Sequence, residues 1–317
     1  MTQDLLQIVS ANLGGNRHNV KPRRNLEQLA KKMKSMLPID TRKPVMIALQ
    51  EIDCVWYDEN QPLDIGQFLV SELGSHFTLH SSTVLDSQKQ PNRRAWNAPI
   101  FEGALRATES IGIVTNLELA SWPWSGSKPN YPGHGKLTAL ATQISSSSLY
   151  SSGDRDTQPR KLIVSSLNTP IGPVVFICCH LATLKNEDRR DQNHPITQKA
   201  SLERQFQTRQ ILNIVEEIRG AEAGKAKSWP IILAGDFNAE PLSKEMLMLQ
   251  TEFKLLDPES TSGNKWTHIN HQVQIDHIFL SDKEQRLGNN IECYVYDNPG
   301  IRDVTDHFPV YAIVNLR

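Results

Sequence analysis

The chain has 317 residues, with 34 Lys and Arg against 35 Asp and Glu, so its formal net charge is −1. Hydrophobic residues make up 38% and charged residues 22%, a globular composition that excludes a disordered tail, a collagen-like chain and a coiled coil. The near-neutral balance argues against capture of nucleic acid by bulk charge, although a local basic patch is compatible with it.

Membrane and redox signals are weak. No apolar stretch approaches the roughly 18 residues of a transmembrane helix, and the first residues lack the basic and apolar regions of a secretory signal. The four cysteines, Cys54, Cys178, Cys179 and Cys293, show no Cys-x-x-Cys spacing, so neither a zinc site nor a disulfide framework is predicted. We therefore expect four reduced thiols in a cytoplasmic protein without a membrane span.

Short apolar runs alternate with segments of helical periodicity along the whole chain. In chain order, the predicted elements are a strand at Leu5–Ser10, a helix at Pro22–Leu37, a strand at Pro44–Gln50, a helix at Asp64–Leu73, strands at Ile111–Thr115, Leu137–Gln143, Lys161–Asn168 and Pro173–Cys179, a helix at Thr197–Arg219, a strand at Pro230–Ala234, a helix at Ser243–Gln250, and strands at Gln274–Ser281, Ile291–Val295 and Val310–Asn315.

The arrangement of these elements predicts the architecture. The longest helix carries an apolar stripe expected to face the core: Leu202, Phe206, Ile211, Ile214, Val215 and Ile218. Polar stretches at Asp86–Asn97, Ser121–Lys136 and Ser145–Arg160 are predicted as surface loops. Antiparallel neighbours mixed with βα units favour an α/β protein in which two mixed sheets pack face to face with helices outside. Because no repeat or linker is visible, residues 1–317 are expected to form one domain.

Six short segments place polar side chains at or near the ends of apolar strands, where α/β proteins build their sites. They are Ser10-Ala11-Asn12, Leu49-Gln50-Glu51, Cys179-His180-Leu181, Gly235-Asp236-Phe237-Asn238, Ile275-Asp276-His277 and Thr305-Asp306-His307-Phe308-Pro309-Val310. Taken alone, each also has an ordinary explanation as a turn, a solvated strand end or a structural histidine.

Taken together, the six segments favour metal-assisted chemistry. Their carboxylate and amide oxygens are ligands that Mg²⁺ or Mn²⁺ prefers, whereas zinc favours nitrogen and sulfur. A hard divalent ion beside one or two histidines suits the attack of water on a phosphate ester. The absence of a Gly-x-x-x-x-Gly-Lys-Ser/Thr segment excludes a P-loop NTPase at the level of motifs.

The order of these motifs over residues 8–314 resembles the endonuclease/exonuclease/phosphatase superfamily. That superfamily includes DNase I-like nucleases, apurinic endonucleases, tyrosyl-DNA phosphodiesterases, deadenylases, inositol-polyphosphate 5-phosphatases and bacterial sphingomyelinases. Gly-Asp-Phe-Asn followed by Asp-His-Phe-Pro-Val is its most specific pair of motifs here. The resemblance implies a DNase I-like four-layer α/β sandwich, with the site at one end of the two central sheets.

The resemblance also implies a metal centre and a base. Glu51 corresponds to the principal ligand of Mg²⁺, for which Mn²⁺ is a possible substitute, and Asn12 and Asp306 support it. Asp236 would orient and deprotonate the attacking water. Neither role follows from the spacing of these residues alone.

Four further residues are assigned to the phosphate by the resemblance. Asn238 would hold the transition-state phosphate, and His180 would contact the scissile phosphate. His307, paired with Asp276, would act as a general acid or as a stabiliser of the phosphate.

Two positions depart from the pattern of the superfamily, and a third is a further candidate for the site. Thr305 stands where the superfamily usually has Ser, which keeps the hydroxyl. His277 replaces a more usual aromatic residue or Arg, which blurs the subfamily. Glu109 precedes the strand at Ile111–Thr115 and is a weak candidate for a second acidic site residue.

The substrate is the least determined property. Loops expected at the mouth of the site contain Arg17, Arg93, Arg94, Trp122 and Trp124. Cations interleaved with aromatic rings suit a nucleic-acid strand with stacked bases, but the same residues could be a solvated helix flank and loop anchors.

Three functions therefore compete. The first is a Mg²⁺-dependent nuclease acting on DNA or RNA by in-line attack of a water activated by the metal and Asp236. The second is a phosphatase or phosphodiesterase acting on a small phosphate ester or a lipid headgroup, such as an inositol phosphate or sphingomyelin. The third is a non-catalytic binding module. No Ser or Cys is placed as a nucleophile, so we expect no covalent intermediate, and protein partners are not indicated.

Overall fold

The residues that the structure describes form fourteen strands and four α-helices. The structure is a computed structural model that describes residues 5–14, 26–89, 91, 94–120, 139–143, 159–184, 186–191, 193–220, 228–260, 263–288 and 290–316. The strands are β1 Leu5–Asn12, β2 Val45–Trp56, β3 Pro62–Asp64, β4 Thr78–Asp86, β5 Arg106–Thr115, β6 Ala139–Gln143, β7 Lys161–Thr169, β8 Gly172–His180, β9 Ile231–Asp236, β10 Lys254–Leu255, β11 Glu259–Ser260, β12 Asp276–Ser281, β13 Ile291–Val295 and β14 Val310–Asn315. The helices are α1 Leu26–Met36, α2 Ile65–Leu73, α3 Pro195–Gly220 and α4 Lys244–Leu249.

The strands form two mixed sheets. The first has the order β11-β13-β14-β1-β2-β5-β4, with β3 paired to β2, and the second has the order β10-β12-β9-β8-β7-β6. In the first sheet β1 runs parallel to β2 but antiparallel to the last strand, β14. In the second sheet β8 and β9 are parallel, and their neighbours are antiparallel.

Alternation of side chains along the strands produces the layers. Ile8 of β1 and Phe176 of β8 lie in the apolar cluster between the sheets, whereas Val9 and Val175 face outward. On the outer face of the first sheet, Val9 belongs to a second apolar cluster that includes residues of α1 and α2. On the outer face of the second sheet, Val175 belongs to a third apolar cluster that includes residues of α3 and α4. The predicted four-layer α/β sandwich, two mixed sheets between helices, is confirmed.

Burial of this core supplies the main stabilisation of the layers. Phe176 is fully buried, and burying a side chain of that size stabilises a fold by about 1.5–3 kcal/mol. The helix ends are also stabilised locally: Asp64 is the N-cap of α2, and its carboxylate accepts from the backbone N–H groups of Gly66 and Gln67.

All ten predicted strands and four predicted helices are present. The prediction that the whole apolar stripe of α3 faces the core was partly wrong. Leu202 and Phe206 are 63% and 37% exposed, respectively. The buried face of this half of α3 instead carries polar residues, because Arg204 forms ion pairs with Glu187 and Glu245. An apolar residue at helical spacing was mistaken for core where an ion-pair network occupies the core face.

Four strands were not predicted: β3, β4, β10 and β11. Three of them have only two or three residues, and β4 is an edge strand whose first half is largely exposed. The predicted loop Asp86–Asn97 begins at the last residue of β4 and contains a short 3₁₀ helix at Arg94–Asn97. The predicted loop Ser121–Lys136, and 145–158 of the loop Ser145–Arg160, lie outside the described residues.

Within the part of the chain that the structure describes, every helix is too short or too polar to cross a membrane. All four cysteines are buried and carry free thiols, as predicted.

Candidate active site

The predicted polar side chains gather at one end of the layer between the sheets. Cys178, Ala234 and Ile278 face the apolar cluster between the sheets, so alternation places His180, Asp236 and Asp276 on the same face. His180 is the last residue of β8, Asp236 is the last residue of β9, and Asp276 is the first residue of β12.

Strand register brings the second-sheet residues side by side. His180 lies opposite Asp236 in the parallel pair β8–β9, and Asp276 lies opposite Asp236 in the antiparallel pair β9–β12. In the first sheet, Asn12 and Gln50 are opposite each other at the carboxyl end of the stretch over which β1 and β2 pair. The carboxyl ends of both parallel pairs therefore converge, which is where open α/β sheets place their sites.

Asn12 joins the two sheets at Asp236. Its Nδ2 donates to Asp236 Oδ2 at 3.0 Å and approaches Glu51 Oε1 at 3.4 Å. The other oxygen of Asp236, Oδ1, accepts from the backbone N–H of Asn238 at 2.8 Å. Asp236 is buried, so these donors fix its carboxylate in one orientation and compensate part of the cost of burying it.

His307 and Asp276 form the pair that the resemblance implies. His307 Nδ1 lies 2.8 Å from Asp276 Oδ2, and both side chains are buried. Burial opposes the protonation of His307, but the charge and hydrogen bond of Asp276, together with two further aspartates, raise its pKa to about 10. The imidazole is therefore an imidazolium near neutral pH, with Nε2 left to face the site.

The hydroxyl of Thr305 makes two hydrogen bonds beside the site. Its Oγ1 donates to the backbone carbonyl of Asn12 at 2.8 Å and accepts from the backbone N–H of His307 at 3.2 Å. The hydroxyl thus connects the segment that carries His307 to the end of β1.

Asn238 is held in an uncommon backbone conformation. Its φ is 50°, a region that Asn adopts more readily than most residues. Its Nδ2 donates to the carbonyl of Leu181 at 3.1 Å, and its Oδ1 accepts from Nη2 of Arg189 at 2.6 Å. The amide is therefore orientated before any substrate binds.

The prediction that Glu51 follows the end of its strand was wrong. β2 continues to Trp56, and Glu51 lies inside it at a β-bulge between Leu49 and Ile52, with a φ of 54°. A bulge lets a strand re-aim one side chain without ending. A Cβ at Gly14 would come within 2.0 Å of Glu51 Oε2, so only glycine leaves room for this carboxylate.

Among the described residues, the side chains fit a divalent metal ion. Two groups of ligand atoms lie within 4.8 Å of one another: one of His268, Asp306 and His307, and one of Asp236, Asp276 and His307. Glu51 belongs to neither group, but Asn12 connects it to the second one, because Asn12 Nδ2 lies 3.4 Å from Glu51 Oε1 and donates to Asp236 Oδ2. Carboxylate and amide oxygens of this kind suit a hard cation.

His180 is buried between opposite charges. Its Nε2 lies 3.5 Å from Asp236 Oδ2, and its Nδ1 lies 3.0 Å from Nη1 of the buried Arg160. Burial and the charge of Arg160 lower the pKa of His180 to about 3. The two site histidines therefore differ: His307 is charged near neutral pH and His180 is neutral.

Sequence reasoning missed Arg160, Arg189 and His268. His268 Nε2 lies 3.7 Å from Asp306 Oδ2, and burial together with the charge of His307 lowers its pKa to about 2. None of the three lies in one of the six polar segments. The sequence offered a signal for Arg160 only, which is an arginine directly before the apolar run of β7. In the structure Pro159 and Arg160 are both buried.

His277 has a structural environment. It is buried, and its Nε2 donates to the carbonyl of Ala239 at 2.9 Å. Burial lowers its pKa to about 4. Glu109 is also buried, and its charge favours the protonated form of His180.

The predicted substrate residues cannot be placed by the structure. Arg17, Arg93, Trp122 and Trp124 lie outside the described residues. The backbone of Arg94 begins the 3₁₀ helix Arg94–Asn97, and its side chain lies outside the description.

Comparison with known proteins identifies the family of this fold and site. The model of the endonuclease/exonuclease/phosphatase family matches residues 9–307, and the chain belongs to that family. The proteins of this family are phosphate-ester hydrolases that include nucleases, phosphodiesterases and phosphatases. None of the curated proteins matches the chain.

Solved structures share the fold at low sequence identity. A family protein from Leptotrichia buccalis C-1013-b has a TM-score of 0.58 at 13% identity, with 98% of this chain and 99% of that chain covered. The catalytic domain of human Nocturnin, with a bound sulfate anion, has a TM-score of 0.59 at 13% identity, with coverage of 99% and 96%. TDP2 from D. rerio, in complex with a single-strand DNA product, has a TM-score of 0.53 at 14% identity, with coverage of 98% and 99%.

Proposed function

We propose that the protein is a Mg²⁺-dependent phosphodiesterase that cleaves DNA or RNA by direct attack of water. The observation that carries the proposal is the buried carboxylate of Asp236, which is fixed by Asn12 from the other sheet and stands between His180 and the His307–Asp276 pair. Burying two neighbouring carboxylates costs stability even when they are hydrogen-bonded, and clusters of buried titratable groups of this kind are concentrated at functional sites.

Glu51, Asn12 and Asp306 would hold the metal ion. Bound there, a divalent ion would neutralise phosphate charge as a Lewis acid. Mn²⁺ is expected to replace Mg²⁺, because both are hard ions that take oxygen ligands. The bulge at Glu51 and the missing side chain at Gly14 give this chain the space for such a ligand set.

The protein's own groups would divide the proton chemistry. Asp236 would accept the proton of the attacking water, since its carboxylate is buried and already orientated. His307, charged near neutral pH, would donate from Nε2 to the leaving oxygen while Asp276 holds Nδ1. Asn238 would hold a phosphate oxygen through its pre-orientated amide.

No cysteine takes part in this mechanism. Cys179, the neighbour of His180, faces the opposite side of the sheet among the apolar residues under α3. Burial raises its pKa well above the ordinary value. A thiolate nucleophile would need the reverse shift.

Two observations support a nucleic acid as the substrate. Among the fold neighbours, TDP2 from D. rerio was solved with a single-strand DNA product. In this chain, Arg189 and Arg190 follow His180 in the next loop, and Arg189 already contacts the amide of Asn238. We also propose that residues 1–317 act as one catalytic domain, because the first and last strands, β1 and β14, pair with each other.

The decisive experiment is cleavage of supercoiled plasmid, single-strand DNA and RNA in Mg²⁺, with EDTA and an Asp236→Asn variant as controls. Cleavage that disappears in both controls supports the proposal. If metal-loaded protein cleaves none of the three polymers but releases phosphate from small esters or lipid headgroups, the nucleic-acid substrate is wrong. If calorimetry detects neither metal binding nor any hydrolysis, the protein is a binding module.

A further inference from the structure

Arg160 is a large side chain placed entirely inside the protein. It is 2% exposed, and it lies directly before β7, whose neighbour in the sheet, β8, ends at His180. Its Nη1 lies 3.0 Å from Nδ1 of His180. Burying a guanidinium is strongly unfavourable unless its charge is compensated and its N–H groups donate hydrogen bonds.

The direction of this hydrogen bond follows from chemistry alone. A guanidinium has five N–H donors and no acceptor. Nδ1 of His180 must therefore be the acceptor, which means that it carries no proton. The remaining proton of a neutral imidazole then sits on Nε2, which faces Asp236 Oδ2 at 3.5 Å.

Other charged groups around His180 pull in both directions. Asp236 and Glu109 favour a charged imidazole, whereas Arg160 and His307 oppose it. The two carboxylates alone would favour the charged imidazolium, which is protonated at both ring nitrogens. Arg160 blocks Nδ1 by occupying its lone pair, so its effect on the ring is specific in position as well as in sign.

We infer that Arg160 is a positioning residue that fixes His180 as the neutral tautomer with its only ring proton on Nε2, as a permanent donor toward the phosphate. This inference rests on the proposed function for the identity of the group that accepts from Nε2. It separates the work of the two histidines: His180 donates a hydrogen bond without transferring its proton, and His307 transfers one. If His180 could also be protonated at Nδ1, it could transfer the proton of Nε2, and the roles of the two histidines would no longer differ.

The first test reads the tautomer without any substrate. In protein labelled with ¹⁵N-histidine at pH 7, long-range ¹H–¹⁵N correlation distinguishes a protonated from an unprotonated ring nitrogen, and the His180 signals are those lost in His180→Gln. We expect Nδ1 unprotonated and Nε2 protonated. Arg160→Lys should retain this pattern, because the ammonium group of Lys also donates hydrogen bonds and accepts none. Arg160→Met should shift the signals toward a mixture of the Nδ1-protonated and Nε2-protonated tautomers.

A wild-type spectrum with Nδ1 protonated, or an unchanged spectrum in a folded Arg160→Met protein, would overturn the inference. If Arg160→Met does not fold, the wild-type and Arg160→Lys spectra still decide it. Because no substrate is present, this result is independent of whether the protein cleaves nucleic acid.

The second test is a double-mutant cycle on the cleavage reaction. Partners that orient metal-ligating histidines are typically worth about 10- to 100-fold in activity, and we expect a loss of kcat of the same size for Arg160→Met. In a His180→Gln background the same change should cost less than about 3-fold, because its target is gone. Equal losses in both backgrounds would mean that Arg160 does not act through His180.

Discussion

The two sheets position their site residues in different ways. In the second sheet, His180, Asp236 and Asp276 occupy regular strand positions, opposite one another in register and almost fully buried. In the first sheet, Glu51 depends on a β-bulge, a positive φ and a glycine in front of its carboxylate. Charge changes should therefore disturb the second-sheet residues most, and small steric changes should disturb the first-sheet residues most.

Removing the charge of Asp236 should have the largest effect. Asp236→Asn keeps the shape of the side chain but removes the group that would take the proton of water, so kcat should fall about 100- to 10,000-fold. Steady-state cleavage of the best polymer substrate measures this. Asp40→Asn is the matched control, since this carboxylate contacts Arg42 at the opposite end of the sheet, and its kcat should be unchanged. A similar kcat for Asp236→Asn and wild type would remove Asp236 from the mechanism.

The His307–Asp276 pair should make stability depend on pH. The pKa of His307 is about 10 in the folded protein, above its ordinary value of 6.5. The stabilisation by this proton is thus complete below pH 6.5 and disappears as the pH rises through 10. Relative to His307→Gln, the wild type should lose up to about 5 kcal/mol of unfolding free energy between these pH values, at about 1.36 kcal/mol per pH unit.

Urea unfolding in EDTA measures this difference without interference from bound metal. Comparison with His307→Gln cancels the titration of tyrosines and cysteines, which both proteins share. If the difference in unfolding free energy between the two proteins stays constant from pH 6.5 to 10, His307 does not carry the proton assigned to it.

A methyl group added at Gly14 should show whether the position of the Glu51 carboxylate matters for metal binding. The Cβ of Gly14→Ala would come within 2.0 Å of Glu51 Oε2 and displace the carboxylate. We expect Mn²⁺ to bind about 10-fold more weakly by calorimetry, equivalent to about 1.4 kcal/mol. Gly220→Ala is the control, because nothing lies within 4 Å of its added Cβ. Equal Mn²⁺ affinity in the Gly14 and Gly220 variants would show that Glu51 is not a ligand.

Alkylation of thiols should have the smallest effect. All four cysteines are buried, and burial raises the pKa of Cys54, Cys178 and Cys293 to about 12. Iodoacetamide at pH 7.5 should therefore leave cleavage unchanged, with mass spectrometry confirming unmodified native protein. Strong inhibition together with labelling of Cys179 would contradict a mechanism without a thiol.

The amino-acid sequence by itself determined the family, the fold class and the site segments that local patterns carry. Apolar runs identified all ten predicted strands, and the Gly-Asp-Phe-Asn and Asp-His-Phe-Pro-Val motifs identified the family. These features are readable because strand periodicity and turn chemistry depend on residues close in the chain.

Only the tertiary structure decided the partners of those segments. The contact between Asn12 and Asp236 joins residues 224 positions apart, and Arg160 reaches His180 across two neighbouring strands. The bulge at Glu51 and the exposed Leu202 on α3 likewise depend on what packs against them. Sheet register and layer packing determine which distant side chain contacts a buried charge. Local periodicity carries no information about either of them.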